Sequence, residues 1–260
     1  MARVRQSGST IARRGPGGPA ALLAVLLAAT GCTPSAGIAP EDNGNIPSSR
    51  PAPDGELNNR IGALFVGDLD GQRACTASVV DSPHRNLLVT AAHCVYTSEL
   101  GRLDNMVFAP GYRNGRAPYG AWTLESITTD PHWTSDEDPE YDVAFVTVAP
   151  VNGKQIEDAL GGNPISTDQG FDVPVSVTGY PNDHQDPITC TAPTKKFTDT
   201  QERFDCGGYT NGTSGSPWLT AAGKVIGVIG GYQQGGDTDQ TSYSITFDQR
   251  VANLYRKATG

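Results

Sequence analysis

The sequence predicts an all-β protein on three observations: several β-rich runs, an abundance of turn residues and a scarcity of helical periodicity. Glycine occupies 31 and proline 19 of the 260 positions, which supplies the turns that many short strands need. Hydrophobic residues make up 37% and charged residues 18%, a mixture too apolar for a wholly disordered chain. An antiparallel sandwich or a pair of barrels is therefore favoured over alternating α/β units.

The predicted strands are runs of β-branched and aromatic residues bounded by Gly, Pro, Asn or Asp. They cover residues 61–66, 76–80, 87–90, 122–128, 142–148, 173–178, 225–229 and 242–247. The helix candidates are a turn after Ala91 and the terminal stretch 248–257, where Val251, Leu254 and Tyr255 can share one face.

Residues 1–31 have the layout of an export signal. Four arginines precede an apolar run at residues 20–29, which is too short to cross a bilayer of about 30 Å. The run ends in Ala29-Thr30-Gly31-Cys32, which resembles a bacterial lipobox, although Ala29 departs from the usual Leu, Val or Ile. We expect a lipid on Cys32 and a place on the outer face of the cell membrane. The alternative is an ordinary signal and a secreted protein.

Residues 32–59 are interpreted as a Pro-rich tether, because five prolines lie there among Ser, Gly and Asn without apolar periodicity. Residues 60–260 are then left for the folded domain, which is enough for a full core.

The cysteine count supports a special use for Cys32. Five cysteines in an exported chain leave one unpaired unless Cys32 is used differently from the other four. Those four allow three pairings. We favour the two that close short loops, each worth about 3 kcal/mol in the chain-entropy picture: Cys75–Cys94 and Cys190–Cys206.

The formal net charge is −9, and the signal-like segment contains arginines but no acid, so the exported part is still more acidic. This argues against a surface that binds phosphate or nucleic acid. The carboxylates of Asp68-Leu-Asp-Gly71 are spaced like part of a calcium loop, but the remaining ligands are lacking and a turn between strands is favoured. We expect no metal or other cofactor.

Three short segments supply an imidazole, a carboxylate and a hydroxyl. His93 lies in Thr90-Ala-Ala-His-Cys94, Asp142 begins an otherwise apolar run, and Ser214 lies in Gly212-Thr-Ser-Gly-Ser-Pro217. A serine hydroxyl needs a base within hydrogen-bond reach and a third group that orients the base. Each segment alone is ambiguous, because a structural histidine or a Gly/Ser turn is the commoner explanation. The other histidines, His84, His132 and His184, are assigned structural roles.

Taken together, these segments resemble the chymotrypsin-like (trypsin-like) serine peptidase family, over residues 61–251. The chain order His, Asp, Ser matches that family and differs from the orders of subtilisin-like enzymes and α/β-hydrolases. The resemblance implies two six-stranded antiparallel β-barrels with a C-terminal helix and a cleft between the barrels. It further implies that His93 is the general base and then acid, that Asp142 orients it, that Ser214 attacks, and that the amides of Gly212 and Ser214 form the oxyanion hole.

Several residues depart from trypsin and point to a bacterial branch. Thr213 stands where trypsin-like members place an Asp that pairs with a new amino terminus, so cleavage after Arg60 is not required for activity. A serine at position 216, in place of the commoner glycine, resembles the bacterial glutamyl endopeptidases. Those enzymes have a His that receives the acidic side chain of the substrate, and here Ile229 stands in its place. The substrate-pairing strand is assigned to Ile229, Gly230 and Gly231.

The leading hypothesis is therefore an exported, tethered, monomeric serine endopeptidase that acts on polypeptides. Two rivals stay open: a protease-shaped binding domain that has lost turnover, and a structural lipoprotein of the cell envelope.

Overall fold

The computed structural model describes residues 46–260. The predicted signal, the lipid attachment at Cys32 and the first part of the predicted tether lie outside these residues. Within residues 46–260 no helix has both the length and the apolarity needed to cross a membrane.

The first half of the domain is a closed antiparallel barrel. Its strands follow each other around the barrel in the order β2-β3-β4-β9-β8-β7. Their bounds are β2 Ile61–Val66, β3 Arg73–Val80, β4 Leu87–Thr90, β7 Met106–Pro110, β8 Trp122–Thr129 and β9 Ala144–Val148, with a separate small pair β5 Tyr96–Thr97 and β6 Gly101–Arg102. Leu88, Phe108 and Trp122 are among the side chains that fill its interior.

The second half is a six-stranded antiparallel path in the order β14-β13-β10-β11-β12-β15, and a short strand β1 joins it at β11. The bounds are β1 Arg50–Pro51, β10 Pro174–Gly179, β11 Ile188–Lys196, β12 Gln201–Asp205, β13 Pro217–Thr220, β14 Val225–Val228 and β15 Thr241–Ile245. The expectation of two six-stranded barrels is confirmed, with β1 as an addition.

The helices are short except the last. They are α1 Glu56–Asn59, α2 Pro131–Asp136, α3 Ile156–Leu160 and α4 Gln249–Thr259, with 3-10 turns at Ala92–Cys94, Pro139–Tyr141 and Tyr232–Gly235. The Asp248 carboxylate caps α4 by accepting from the Arg250 amide at 2.8 Å. Val251 and Leu254 are buried, as the periodicity predicted.

The folded body begins earlier than predicted, because residues 50–52, which were assigned to the tether, are part of it. Arg50 and Pro51 pair with Thr189 and Ile188 of β11, and Ala52 is buried. An edge strand is held by its backbone, so it can pair without apolar periodicity, and proline is tolerated at an edge. The sequence pattern therefore gave no signal for this strand.

Two disulfides have the expected pairing. Cys75–Cys94 joins β3 to the 3-10 turn that follows β4, and Cys190–Cys206 joins β11 to the end of β12. The first of them fixes the turn that contains His93.

A buried acid lies inside the second barrel. Glu202 of β12 is only 2% exposed, and Phe204, two residues on, packs in the core of the same barrel. Burial raises the pKa of the Glu202 carboxyl from its usual 4.5 to about 7, and a hydrogen bond with Thr194 opposes the rise. The charged form of this side chain is therefore costly in the folded state.

This carboxyl should make the folded protein less stable as the pH rises. Below pH 4.5 both the folded and the unfolded chains hold the proton. Between about pH 4.5 and 7 the unfolded chain releases it first, so the free energy of unfolding falls, by about 3 kcal/mol in total. Glu202→Gln should remove this loss, and urea unfolding at pH 4 and pH 8 without divalent cations measures it. The control is Glu125→Gln, a substitution of an exposed glutamate. If the free energy of unfolding depends equally on pH in both variants, Glu202 is not the group responsible.

Candidate active site

His93 lies at the junction of the first barrel and the cleft. The 3-10 turn Ala92–Cys94 follows β4 after a single residue, Ala91, which is fully buried. The neighbouring Cys94 is bonded to Cys75, so the disulfide holds one end of the turn and β4 holds the other. The His93 side chain keeps 11% of its surface exposed, which leaves one edge of the ring accessible.

Asp142 is fully buried and accepts three hydrogen bonds from N–H groups. Oδ2 is 2.8 Å from His93 Nδ1, and Oδ1 accepts from the His93 backbone amide at 3.0 Å. The backbone amide of Gly231, which belongs to the second half of the domain, donates to Oδ2 at 2.8 Å. Three donors compensate the carboxylate for its lost hydration.

These contacts fix the tautomer of His93. An ionised carboxylate only accepts hydrogen bonds, so Nδ1 must carry the proton that points at Asp142. In the neutral ring Nε2 then holds the lone pair, which is the arrangement that a general base requires.

The loop that bears Ser214 is anchored on both barrels. The Ser214 carbonyl accepts from the amide of Thr76 in β3, and the Gly215 amide donates to the Ile229 carbonyl at 2.7 Å. A Cβ on Gly215 would lie 2.2 Å from both the Thr76 carbonyl oxygen and Thr90 Oγ1. The residue after Ser214 is thus pressed against the end of β4, two to three positions before His93.

The loop leaves two amides directed away from internal acceptors. Thr213 N donates to Thr210 and Ser216 N to Thr213, whereas the amides of Gly212 and Ser214 have no protein acceptor among residues 46–260. Gly212 has a φ of +99°, and a Cβ there would lie 2.5 Å from the Tyr180 carbonyl oxygen. Unpaired, fixed N–H groups beside a serine are the donors that an oxyanion hole uses.

Thr213 is satisfied without a charged partner. Its side chain is buried, and Oγ1 donates to the Thr210 carbonyl at 2.8 Å. The Ser216 hydroxyl donates in turn to the Thr213 carbonyl at 2.6 Å. Local hydrogen bonds therefore shape this loop, and no ion pair takes part in them.

A cavity of about 450 Å³ opens beside Ser214. Ile229 and Tyr209 supply apolar surface, and the remaining lining is polar or acidic, with Asp183, Asp237 and Asp239 and no Lys, Arg or His. The potential in this cavity is therefore negative, which disfavours an acidic ligand side chain.

The three residues assigned to the substrate strand have different surroundings. Ile229 lines the cavity, and its amide donates to the Ser216 carbonyl. Gly230 lies against Asp142, since a Cβ there would be 2.8 Å from the Asp142 carbonyl oxygen. The Gly231 amide is already engaged by the Asp142 carboxylate.

Residues 75–228 match the family model of the trypsin-like peptidase domain. The chain belongs to that family. A thermostable serine protease, AL20, from an extremophilic microorganism is 25% identical, with a TM-score of 0.69 over 79% of this chain and 99% of that one. A Glu endopeptidase structure has a TM-score of 0.68 over 82% of this chain and 97% of the other, and at 16% identity it shows the fold alone.

A curated relative of this trypsin-like chain carries a different description. The extracellular metalloprotease of Bacillus subtilis (strain 168) is 27% identical over 179 residues, or 66% of this chain and 50% of the relative. The chain thus spans about half the length of that relative.

The donor atoms in this trypsin-like chain do not fit a metal that such a name implies. Among residues 46–260, the one group of three His, Cys or acidic side chains with donor atoms within 4.8 Å of one another is Cys75, His93 and Cys94. The two sulfurs are bonded to each other, so they are not thiolate ligands, and only the imidazole remains.

Sequence reasoning singled out the side chains of the site but missed the contacts that hold them. The buried threonines Thr76 and Thr90 fix the serine loop, and Thr90 Oγ1 donates to the Thr76 carbonyl at 2.8 Å. Their only sequence signal is a polar residue in an otherwise apolar strand. Asp142 follows the 3-10 turn Pro139–Tyr141, two residues before β9, and does not itself begin the strand as was expected.

We predict that Gly215→Ala destabilises the protein by more than positive φ alone explains. The new Cβ would meet a backbone oxygen at 2.2 Å, so the serine loop must move off the first barrel. The matched control is Gly153→Ala, where φ is also positive (+74°) but nothing lies within 4 Å. We expect the control to cost about 1–2 kcal/mol and Gly215→Ala clearly more, in chemical unfolding. Equal costs would contradict the packed position of the loop.

Proposed function

We propose that the protein is a serine endopeptidase that works through His93, Asp142 and Ser214. The observation that carries this is the fully buried Asp142, which holds His93 Nδ1 at 2.8 Å and so leaves Nε2 as the proton acceptor. Family membership supports the same reaction class.

The reaction follows from these groups. His93 Nε2 takes the proton of Ser214 Oγ as that oxygen bonds to the scissile carbonyl carbon, and the amides of Gly212 and Ser214 stabilise the oxyanion. The imidazolium then gives its proton to the leaving amine as the C–N bond breaks. The same ring then deprotonates a water molecule that attacks the acyl carbon, and the imidazolium returns this proton to Ser214 Oγ as the C–O bond of the acyl-enzyme breaks. Asp142 stays ionised throughout and stabilises the imidazolium.

The substrates are polypeptides, and the entering side chain is not acidic. Ile229 offers no positive charge to a carboxylate, and the three aspartates around the cavity repel one. Within residues 46–260 the amides of Ile229, Gly230 and Gly231 and the Ile229 carbonyl are all bonded inside the protein, so the Gly230 carbonyl is the group of this segment that can accept a hydrogen bond from an extended substrate.

The active form does not depend on cleavage after Arg60. The Arg60 carbonyl accepts from the Val79 amide, and its guanidinium donates to the Leu160 and Gly162 carbonyls at 3.0 and 3.1 Å. The intact Arg60–Ile61 bond thus lies within the folded body while the serine loop is already shaped by Thr213 and its neighbours.

The protein is exported and acts as a monomer, held on the outer face of the membrane by a lipid on Cys32. The signal-like sequence of residues 1–31 supports export, and the extracellular relative in Bacillus subtilis is consistent with it. A protease-shaped binding domain is the rival, and it predicts an unreactive Ser214.

A fluorophosphonate probe should label the folded protein on Ser214. Ser214→Ala should abolish labelling, and Asp142→Asn should slow it by roughly 10⁴ because the ring loses its orienting acceptor. The matched control is Asp130→Asn, since Asp130 Oδ1 also lies 2.8 Å from a histidine nitrogen, Nδ1 of His132, which has no proposed catalytic role. Labelling rates followed by mass spectrometry decide the matter. No labelling of the wild type, or equal labelling of Ser214→Ala, would favour the binding-domain rival.

Labelling should be equally fast in chains that are intact at residues 60–61. We expect Arg60→Gln, which keeps a side-chain amide donor but removes the basic side chain, to react within about threefold of the wild type. Intact mass and amino-terminal sequencing of the labelled molecules provide the readout. Label found exclusively on chains that begin at Ile61 would show that activation by cleavage is needed after all.

A further inference from the structure

A second cavity, of about 330 Å³, lies at the end of the second barrel, away from Ser214. Ile226 and Phe247 form part of its apolar wall. Its charged lining consists entirely of acids: Asp168, Asp199, Glu202 and Asp248.

Two of these acids are already neutralised by neighbours. Lys196 pairs with Asp199, and Arg250 Nε lies 2.9 Å from Asp248 Oδ2. Within residues 46–260 the carboxylates of Asp168 and Glu202 form no ion pair. The negative charge of the cavity is thus concentrated on those two side chains.

Glu202 is the group that points to a ligand. It is 2% exposed, and its buried Oε2 atom has no hydrogen-bond partner among residues 46–260. A buried oxygen without a partner costs free energy that a cation in the cavity would recover.

We propose that this cavity binds a partly hydrated calcium ion, with Glu202 and Asp168 as the protein carboxylates. Carboxylates are ligands of hard divalent cations, and calcium accepts six to eight oxygens in flexible geometry. No three acidic side chains of residues 46–260 have oxygens within 4.8 Å of one another. Water therefore completes the coordination, and the cavity has room for it. Magnesium, which demands a stricter octahedron, fits such a site less well.

The site is independent of the proposed peptidase reaction, and its test is designed accordingly. The protein carries Ser214→Ala, which prevents self-digestion, and is stripped with EDTA and transferred to chelator-free buffer at pH 8. Thermal unfolding is recorded with CaCl₂ or MgCl₂ at matched ionic strength, and calcium affinity is measured by isothermal titration calorimetry.

We expect 10 mM calcium to raise the unfolding temperature by about 5–10 °C, and magnesium to raise it by less than half as much. Glu202→Gln and Asp168→Asn, each added singly, should weaken calcium binding at least tenfold. The control Asp70→Asn lies in the turn whose sequence resembles a calcium loop, and there we expect full binding; Asp68 Oδ1 already accepts the Asp70 amide at 2.9 Å.

Three results would overturn the proposal. They are no calcium-dependent shift in the parent protein, an equal shift in the Glu202→Gln variant, or a shift lost in Asp70→Asn and kept in the other two. Should Glu202→Gln fail to fold, Asp168→Asn decides the question by itself, since that residue lies at the cavity wall and outside the strands of the barrel.

Discussion

The burial of the Asp142 carboxylate is the constraint on which the rest of the site depends. A charge with no exposed surface needs donors on several sides, and the fold supplies one set from each half of the domain. His93 contributes its ring and its amide from the first barrel, and Gly231 contributes its amide from the second. The acid that holds the His93 ring therefore also links the two halves of the domain. The chain at Gly230 must lack a side chain, because the Asp142 carbonyl lies where a Cβ would be.

The serine loop is constrained by close backbone packing, whereas Asp142 is constrained by charge. Gly215 fits between Thr76 and Thr90, and Gly212 fits beneath Tyr180, at distances that no Cβ permits. The hydroxyls of Thr213 and Ser216 donate to the Thr210 and Thr213 carbonyls, and the amides of Gly212 and Ser214 have no acceptor among residues 46–260. The loop thus acquires its shape from neutral hydrogen bonds that are complete in the uncut chain. Thr213 thus takes part in this loop through neutral hydrogen bonds, at the position where the resemblance to trypsin-like members would place an aspartate.

The sequence predicted what is encoded locally and missed what depends on distant pairing. Strands β2 and β4 are short apolar runs between turns, and their bounds were predicted without error. Strands β11 and β12 were missed because Lys195, Lys196 and Glu202 interrupt the apolar pattern, and only pairing with β10 and β15 makes them strands. For the site, the motif around His93 pointed to an acid partner, but no side-chain pattern announces a backbone donor such as Gly231. The sequence could therefore propose side chains for the site, whereas the threonines and glycines that hold them are recognised only from three-dimensional packing.

The two buried acids of the domain illustrate opposite solutions to the same problem. Asp142 is enclosed by three N–H donors, so the protein itself replaces the hydration that the carboxylate lost on burial. Glu202 is nearly as deeply buried, but its Oε2 atom has no hydrogen-bond partner among residues 46–260, and burial raises the pKa of this carboxyl to about 7. Near neutral pH the Glu202 carboxyl must therefore either bind a proton and become neutral, or stay ionised beside a cation. Asp168 lines the same cavity and forms no ion pair within residues 46–260, so the proposed calcium ion would compensate both carboxylates. The fold thus stabilises its proposed catalytic charge with its own donors and leaves its other buried acid dependent on the surrounding solution.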